Sequence, residues 1–196
     1  MARAIMIVSS VGIPDVIDVI TEINSGSDRV AAVVGGALVD EILRRTLRNC
    51  LRQDSKVLTE VSQGSGPLAT FSACINMGYL LGLYGKEVRH DLHIIRKIRN
   101  EFAHQLNATF STQKIASLSL SLHLPERFTA DIKCCPTTEE KPNLTPESLL
   151  EWPVWVYLHD RDQSLKDPRE RFIAGLQVIA WALSGTDTKL KIGRLG

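Results

Sequence analysis

Hydrophobic residues recur every three or four positions over most of this chain, which is the spacing of one face of an α-helix. Helix-start signals accompany the pattern: Pro14 and Pro168 suit first helical positions, and Ser27 is a good N-cap. The pattern predicts an all-α fold, a helical bundle in a single domain spanning residues 1–196. The predicted core helices are 14–23, 28–51, 68–83, 86–107 and 168–183.

Two stretches depart from the helical pattern. Residues 117–124 read SLSLSLHL, a strict alternation typical of a strand, although Ile115, Leu118 and Leu122 also share one helix face. Residues 125–160 contain five prolines between Pro125 and Pro153 and a polar run. We predict an irregular, Pro-rich insertion there, before the C-terminal helix, with room for a short hairpin.

The segment 86–107 predicts a helix with two unlike faces. Its apolar arc gathers five residues at about 100° per residue. These are Ile94, Ile95, Ile98, Phe102 and Leu106. His93, Asn100 and His104 fall opposite, within roughly 40° of one another, with Arg96 beside them and Arg99 at the border. A solvated polar surface would explain this face, and so would a binding site.

Helix 28–51 carries two acid-first pairs at i,i+4 spacing, Asp40 with Arg44 and Glu41 with Arg45. Arg48 and Arg52 extend a local basic cluster at the same end. Gly35-Gly36 costs roughly 1 kcal/mol per residue relative to alanine in a helix. We therefore expect another backbone to pack closely at this point.

Composition and charge narrow the function classes. Hydrophobic residues make up 44% and charged residues 23%, as in a globular soluble protein, and a net charge of +1 gives no global attraction to nucleic acid. No apolar run approaches the roughly 20 residues of a membrane span, so we expect a cytoplasmic protein without a membrane partner.

The four cysteines lack zinc-site spacing, and His93 and His104 lie too far apart along one helix to share an ion. We predict no metal and no cofactor, and we interpret His123 as a surface or packing residue.

The hexapeptide RNEFAH, residues 99–104, resembles the R-N-x-x-x-H signature of the HEPN superfamily of small all-helical domains. Many of those domains are metal-independent endoribonucleases, some of them toxins of toxin–antitoxin systems. The resemblance implies catalytic roles for Arg99, Asn100 and His104. It also implies a homodimer, in which the motifs of two chains line one cleft, and an antitoxin as a possible partner.

Three ordered blocks between Ser25 and Leu122 together resemble the mannitol operon repressor (MltR-type) family. The blocks read SGSDRVAAVVGGALVDEIL, GSGPLATFSACINMGYLLGL and HDLHIIRKIRNEFAH. This resemblance implies an all-helical cytoplasmic regulator, similar to a transcriptional repressor. It also favours a helix over a strand at residues 117–124.

The residue types on the polar face suit RNA cleavage without a metal. A histidine moves protons near neutral pH, and an arginine fork matches a phosphate. Arg99 points roughly 140° from His104 around the helix, so one helix alone does not assemble such a site. Asp40, Glu41 or Arg44 of the preceding long helix would complete it. His93, Arg96 and Arg45 are further candidate binding residues.

Two functions from different classes follow. The first is an MltR-type regulator that acts through RNA, DNA or a partner protein without chemistry. The alternative is a metal-independent endoribonuclease that uses Arg99 and His104. No short turn joins two helices with a basic second helix, so the sequence does not predict a helix-turn-helix. If the protein is a nuclease, replacing His104 would abolish its function. If it is a regulator, the same replacement would leave its function largely intact.

Overall fold

The computed structural model describes residues 16–131, 156–158 and 160–183. In chain order its helices begin with α1 (Val16–Ser25), α2 (Asp28–Cys50), α3 (Ser55–Ser62), α4 (Phe71–Leu80) and α5 (Lys86–His104). They continue with α6 (Gln113–Leu120) and α7 (Leu124–Phe128), then α8 (Arg161–Ser164) and α9 (Pro168–Leu183). Between α7 and α8 lie two short strands, β1 (Thr129–Asp131) and β2 (Val156–Leu158).

The predicted all-α bundle is confirmed, and residues 117–124 are helical apart from the turn between α6 and α7. The strands β1 and β2 pair in parallel, with Thr129 opposite Val156. A hairpin would pair them antiparallel, so that expectation for the insertion is wrong for these two strands. The described ends of the segment 125–160 are thus regular rather than irregular, and residues 132–155 lie outside the described part of the chain.

Helix α9 is the centre of the bundle. Residues 171–180 are all buried, because α2, α6 and α7 surround this helix. A helix that is buried on every side needs apolar residues all round, and α9 supplies Phe172, Ile173 and Val178 on different sides. The aromatic ring of Phe172 contacts Phe110, whose ring in turn contacts Phe102 of α5.

The glycine pair of α2 does admit a close neighbour, although the neighbours are side chains rather than a second backbone. A Cβ at Gly35 would collide with Cδ1 of Leu176 in α9. A Cβ at Gly36 would lie 2.9 Å from Cδ of Arg99 in α5. Gly35 therefore lets α2 pack closely against α9, and Gly36 lets it pack closely against α5.

Helix α5 ends at His104, three residues before the predicted end at 107. The cause is Arg29 of α2, whose guanidinium donates to the carbonyls of Phe102, Gln105 (2.7 Å) and Leu106 (2.7 Å). A cation at this position satisfies carbonyls that have no partner inside the helix. Leu106 consequently leaves the apolar arc, and 92% of it is exposed, so its predicted place in the core is wrong.

The remaining helix boundaries show where local signals compete. Ser27 caps α2 as expected, and Asp167 caps α9 by accepting from the N–H groups of Arg169 and Glu170, both at 2.9 Å. Helix α4 is shorter than the predicted 68–83, because Thr70 supplies the cap, with its Oγ1 accepting from the N–H of Ala73. Helix α3, which we did not predict, starts at the side-chain cap of Asp54.

In the described part of the chain no helix combines the length and the apolar character that crossing a bilayer demands.

Candidate functional site: the polar face of helix α5

Helix α5 turns its apolar side to the core and leaves a continuous polar side outward. Val88, Leu92, Ile95, Ile98 and Phe102 are at most 1% exposed. At helical spacing on the other side lie the residues that we call the polar face, namely Arg89, His93, Arg96, Lys97, Asn100 and His104. Lys97, Asn100 and His104 are exposed, and the other three are partly buried against neighbouring residues.

Arg99 is part of an ion network that joins α5 to α2. Its Nη1 lies 3.5 Å from Oδ2 of Asp40, and Oδ1 of the same carboxylate accepts from Nε of Arg44 at 2.8 Å. Arg44 also donates to the carbonyls of Leu68 and Ala69, both at 3.0 Å. The side chains of Asp40 and Arg44 are 15% and 23% exposed, so this network ties α2, α5 and the turn before α4 together.

Arg99 and His104 do not meet within one chain. The methylenes of Arg99 lie against Gly36 of α2, whereas His104 is the exposed last residue of α5. Among the described residues the side chains of His104 and Asn100 form no hydrogen bond or ion pair, and both side chains are open to solvent. The helix geometry thus keeps the two motif residues on separate sides, as the spacing predicted.

His93 lies within a cluster of cationic groups. Its Nε2 is 3.4 Å from Oδ1 of Asn76 in α4, and the same oxygen accepts from Nε and Nη2 of Arg89 at 3.2 and 2.9 Å. Partial burial lowers the pKa of His93 below its usual value, and the positive charges of Arg89, Arg96 and Lys97 lower it further. At neutral pH the ring is therefore a neutral donor or acceptor rather than a cation.

The polar face has a net positive charge. Within the described residues neither Arg96 nor Lys97 forms an ion pair, and Nε of Arg96 is buried without a hydrogen-bond partner. The acidic residues near the two ends of α5 form ion pairs outside this face, since Glu87 pairs with Arg127 and Glu101 pairs with Lys114. No carboxylate of α5 offsets the cations of this face.

Arg45, the remaining candidate binding residue, pairs with Glu41 at 2.7 Å on the same helix. Both side chains are about half exposed, so this i,i+4 pair is a surface feature of α2. It lies outside the network of Arg99, Asp40 and Arg44.

Arg89 and Asn76 belong to the polar face and its border, but we did not predict them from the sequence. The guanidinium of Arg89 lies 5.4 Å from the centroid of the Tyr79 ring, which holds it beside α4. Arg89 continues the helical spacing of His93 and Arg96 by one turn, so the periodicity could have found it. The contact with Asn76 spans 13 positions and has no local signal.

Comparison with known proteins gives a likeness in fold. No family model matches the chain, and no curated protein matches it. Among solved structures, the chain is similar to MtlR in the X-ray structure of the MtlR–HPr complex from Escherichia coli. The TM-score is 0.56 at 19% sequence identity, over 86% of this chain and 97% of that chain. The match supports an MtlR-like helical fold across nearly all of the compared protein.

Proposed function

We propose that the chain is a regulator of the MtlR type that acts by binding a partner protein, with HPr as the first candidate partner. The observation that carries this proposal is the fold match over 97% of the MtlR chain, which was solved as a complex with HPr. The region around the motif residues agrees with binding rather than chemistry, because Arg99 is engaged with Asp40 and turned away from His104.

The polar face of α5 is the surface we assign to the partner. Its unpaired cations, the exposed Lys97 and the partly buried Arg96, would meet an acidic patch. Electrostatic complementarity of this kind speeds association and selects partners. Leu80, which is 77% exposed, ends α4 directly after Tyr79 at the border of this face. An apolar residue next to a charged rim is typical of a protein contact.

Titration calorimetry with purified HPr from Escherichia coli tests the proposal. We expect saturable binding that weakens at least about 10-fold in Lys97→Glu and Arg96→Glu, because charge reversal opposes the acidic patch. Lys56→Glu, on the exposed surface of α3, is the matched control and should bind as the wild type does. No binding by the folded wild type would remove HPr as the partner, and equal binding by all variants would place the contact elsewhere.

The second candidate is a metal-independent endoribonuclease of the kind that acts as the toxin of a toxin–antitoxin pair. The observation in its favour is that His104 and Asn100 are exposed, one turn apart and without partners among the described residues, so an RNA strand can reach them. A homodimer would have to bring Arg99 of one chain to His104 of the other.

Incubation of total RNA with the protein in EDTA tests this candidate, beside Arg99→Ala and His104→Ala proteins whose fold is checked by circular dichroism. Cleavage by the wild type alone, with 2′,3′-cyclic phosphate ends, would support the nuclease. Elution of the wild type as a monomer, together with intact RNA in every sample, would count against both the dimer and the enzyme.

A further inference from the structure

Two histidines from distant parts of the chain meet where α5 begins and α7 begins. His90 lies in the second turn of α5, and His123 directly precedes α7. Their imidazole rings stack with centroids 4.5 Å apart and planes inclined by 9°.

Asp91 is the residue that builds this corner. Its side chain is fully buried, and Oδ2 accepts from the backbone N–H groups of His123 at 3.0 Å and Leu124 at 2.8 Å. A buried carboxylate with these two donors fixes the start of α7 against α5. The backbone of His123 is therefore held in place, although its ring reaches the surface.

The same carboxylate orients the ring of His90. Oδ1 of Asp91 lies 3.0 Å from Nδ1 of His90, and because an ionised carboxylate can only accept, the proton of that bond sits on Nδ1. The lone pair of the neutral ring is then on Nε2, on the far side from Asp91. This is the arrangement by which a carboxylate positions a metal-binding histidine.

We propose that His90 and His123 bind a divalent transition ion of the zinc, copper and nickel group, with Asp91 as the positioning residue. Imidazole nitrogen suits these ions. One nitrogen of each histidine and one carboxylate oxygen of Asp91 lie within 4.8 Å of one another, which places the two rings side by side at this corner. No other group of three such residues is found in the described part of the chain. Water completes the coordination of the ion.

Binding requires one movement that the site permits. The lone pairs lie in the planes of the imidazole rings, so two parallel rings cannot both point at one ion. His90 is held by Asp91, whereas the ring of the exposed His123 can turn out of the stack about its own side-chain bonds. The bound ion would then join two residues, His90 and His123, that are 33 positions apart in sequence.

Copper binding followed by electron paramagnetic resonance is the test, with zinc titration calorimetry for the affinity. The Cys134→Ser/Cys135→Ser protein is the parent for all variants, since adjacent thiols bind and reduce copper. At one equivalent of Cu²⁺ we expect nitrogen hyperfine structure from two imidazoles. His90→Ala and His123→Ala should each lose it, and His104→Ala, which removes an exposed histidine from the same helix, should keep it.

Asp91→Asn tests the positioning role at a temperature where circular dichroism shows it folded. We expect about 10–100-fold weaker zinc binding, the usual effect of losing an outer partner of a metal-bound histidine. Unchanged affinity in this variant would overturn the positioning role. A parent protein without the two-nitrogen spectrum, or a His90→Ala/His123→Ala variant of it that keeps this spectrum, would overturn the site itself and leave a ring stack only. A protein that fails to bind HPr while binding the metal separates this inference from the proposed function.

Discussion

At the scale of single residues, the contact of Arg29 with the end of α5 is one that no local pattern in the sequence predicts. Arg29 reaches from the first turn of α2 to three carbonyls at the end of α5, across more than 70 positions of the chain. The carbonyls at the end of a helix lack partners within that helix, and a cation there also favours the helix dipole. Arg29 thereby fixes where α5 stops and leaves His104 at its end.

We expect Arg29→Ala to lower the free energy of unfolding by about 1–2 kcal/mol, because the charged donor is lost and three carbonyls keep only solvent. Urea unfolding followed by circular dichroism measures the change. Arg52→Ala, an exposed arginine just beyond the other end of α2, is the matched control and should stay within about 0.5 kcal/mol of the wild type. Equal stability of the two variants would show that the guanidinium contributes no more than a surface charge.

The candidate site contains contacts between residues that are close in sequence and contacts between residues that are distant in sequence. The pairs of Asp40 with Arg44 and Glu41 with Arg45 follow from i,i+4 spacing and form as predicted. The contact of Arg99 with Asp40 joins residues 59 positions apart, and that of His90 with His123 joins residues 33 apart. Spacing along one helix predicts which side a residue faces, but not which neighbour it meets there.

At the scale of the elements, the glycines of α2 show how two neighbouring positions face different partners. Gly35 faces Leu176 in the fully packed interior, where Leu176 is 2% exposed. Gly36 faces the methylenes of Arg99, whose side chain is 32% exposed. An added methyl group would collide with a buried side chain in the first case, whereas it would lie 2.9–3.1 Å from a partly exposed one in the second.

We therefore expect Gly35→Ala and Gly36→Ala to differ although both improve helix propensity. Gly35→Ala should cost about 1–3 kcal/mol through overpacking, whereas in Gly36→Ala the gain in propensity, about 1 kcal/mol, offsets the displacement of Arg99. Chemical denaturation of the two proteins under one set of conditions gives the comparison. Similar losses in both would mean that Arg99 is as firmly held as Leu176.

The helix boundaries that sequence predicts well are those with a cap nearby. Helix α9 begins at Pro168 because Asp167 accepts the first N–H groups, and these residues are adjacent. Helix α3 has the same kind of signal in Asp54, but it has only eight residues, none of them fully buried, so its apolar repeat spans too few turns to predict it. The early end of α5 has no such signal, since Arg29 is remote.

At the scale of the whole molecule, helix α9 connects the other elements. The hydroxyl of Thr46 in α2 donates to the carbonyl of Leu183 at 3.0 Å, and Arg169 donates to the carbonyl of Gly26 at 2.9 Å. Arg171 donates to the carbonyls of Leu122 and Leu165. These bonds and the apolar surroundings of α9 lead us to expect that the helices of residues 16–183 unfold as one cooperative unit.

Val178→Thr tests this expectation, because it places a hydroxyl in the middle of α9 at a fully buried position with almost no change in shape. Burying a hydroxyl, which can donate to the carbonyl four residues before it but brings a polar atom into an apolar interior, should cost about 1–3 kcal/mol. If the domain is one unit, native-state hydrogen exchange will show the slowest amides of α2, α5 and α9 losing the same protection, since all of them exchange through global unfolding. Val57→Thr, at a valine that is 50% exposed in α3, is the matched control and should leave those amides unchanged. Loss of protection confined to α9 would instead divide the bundle into parts that open independently.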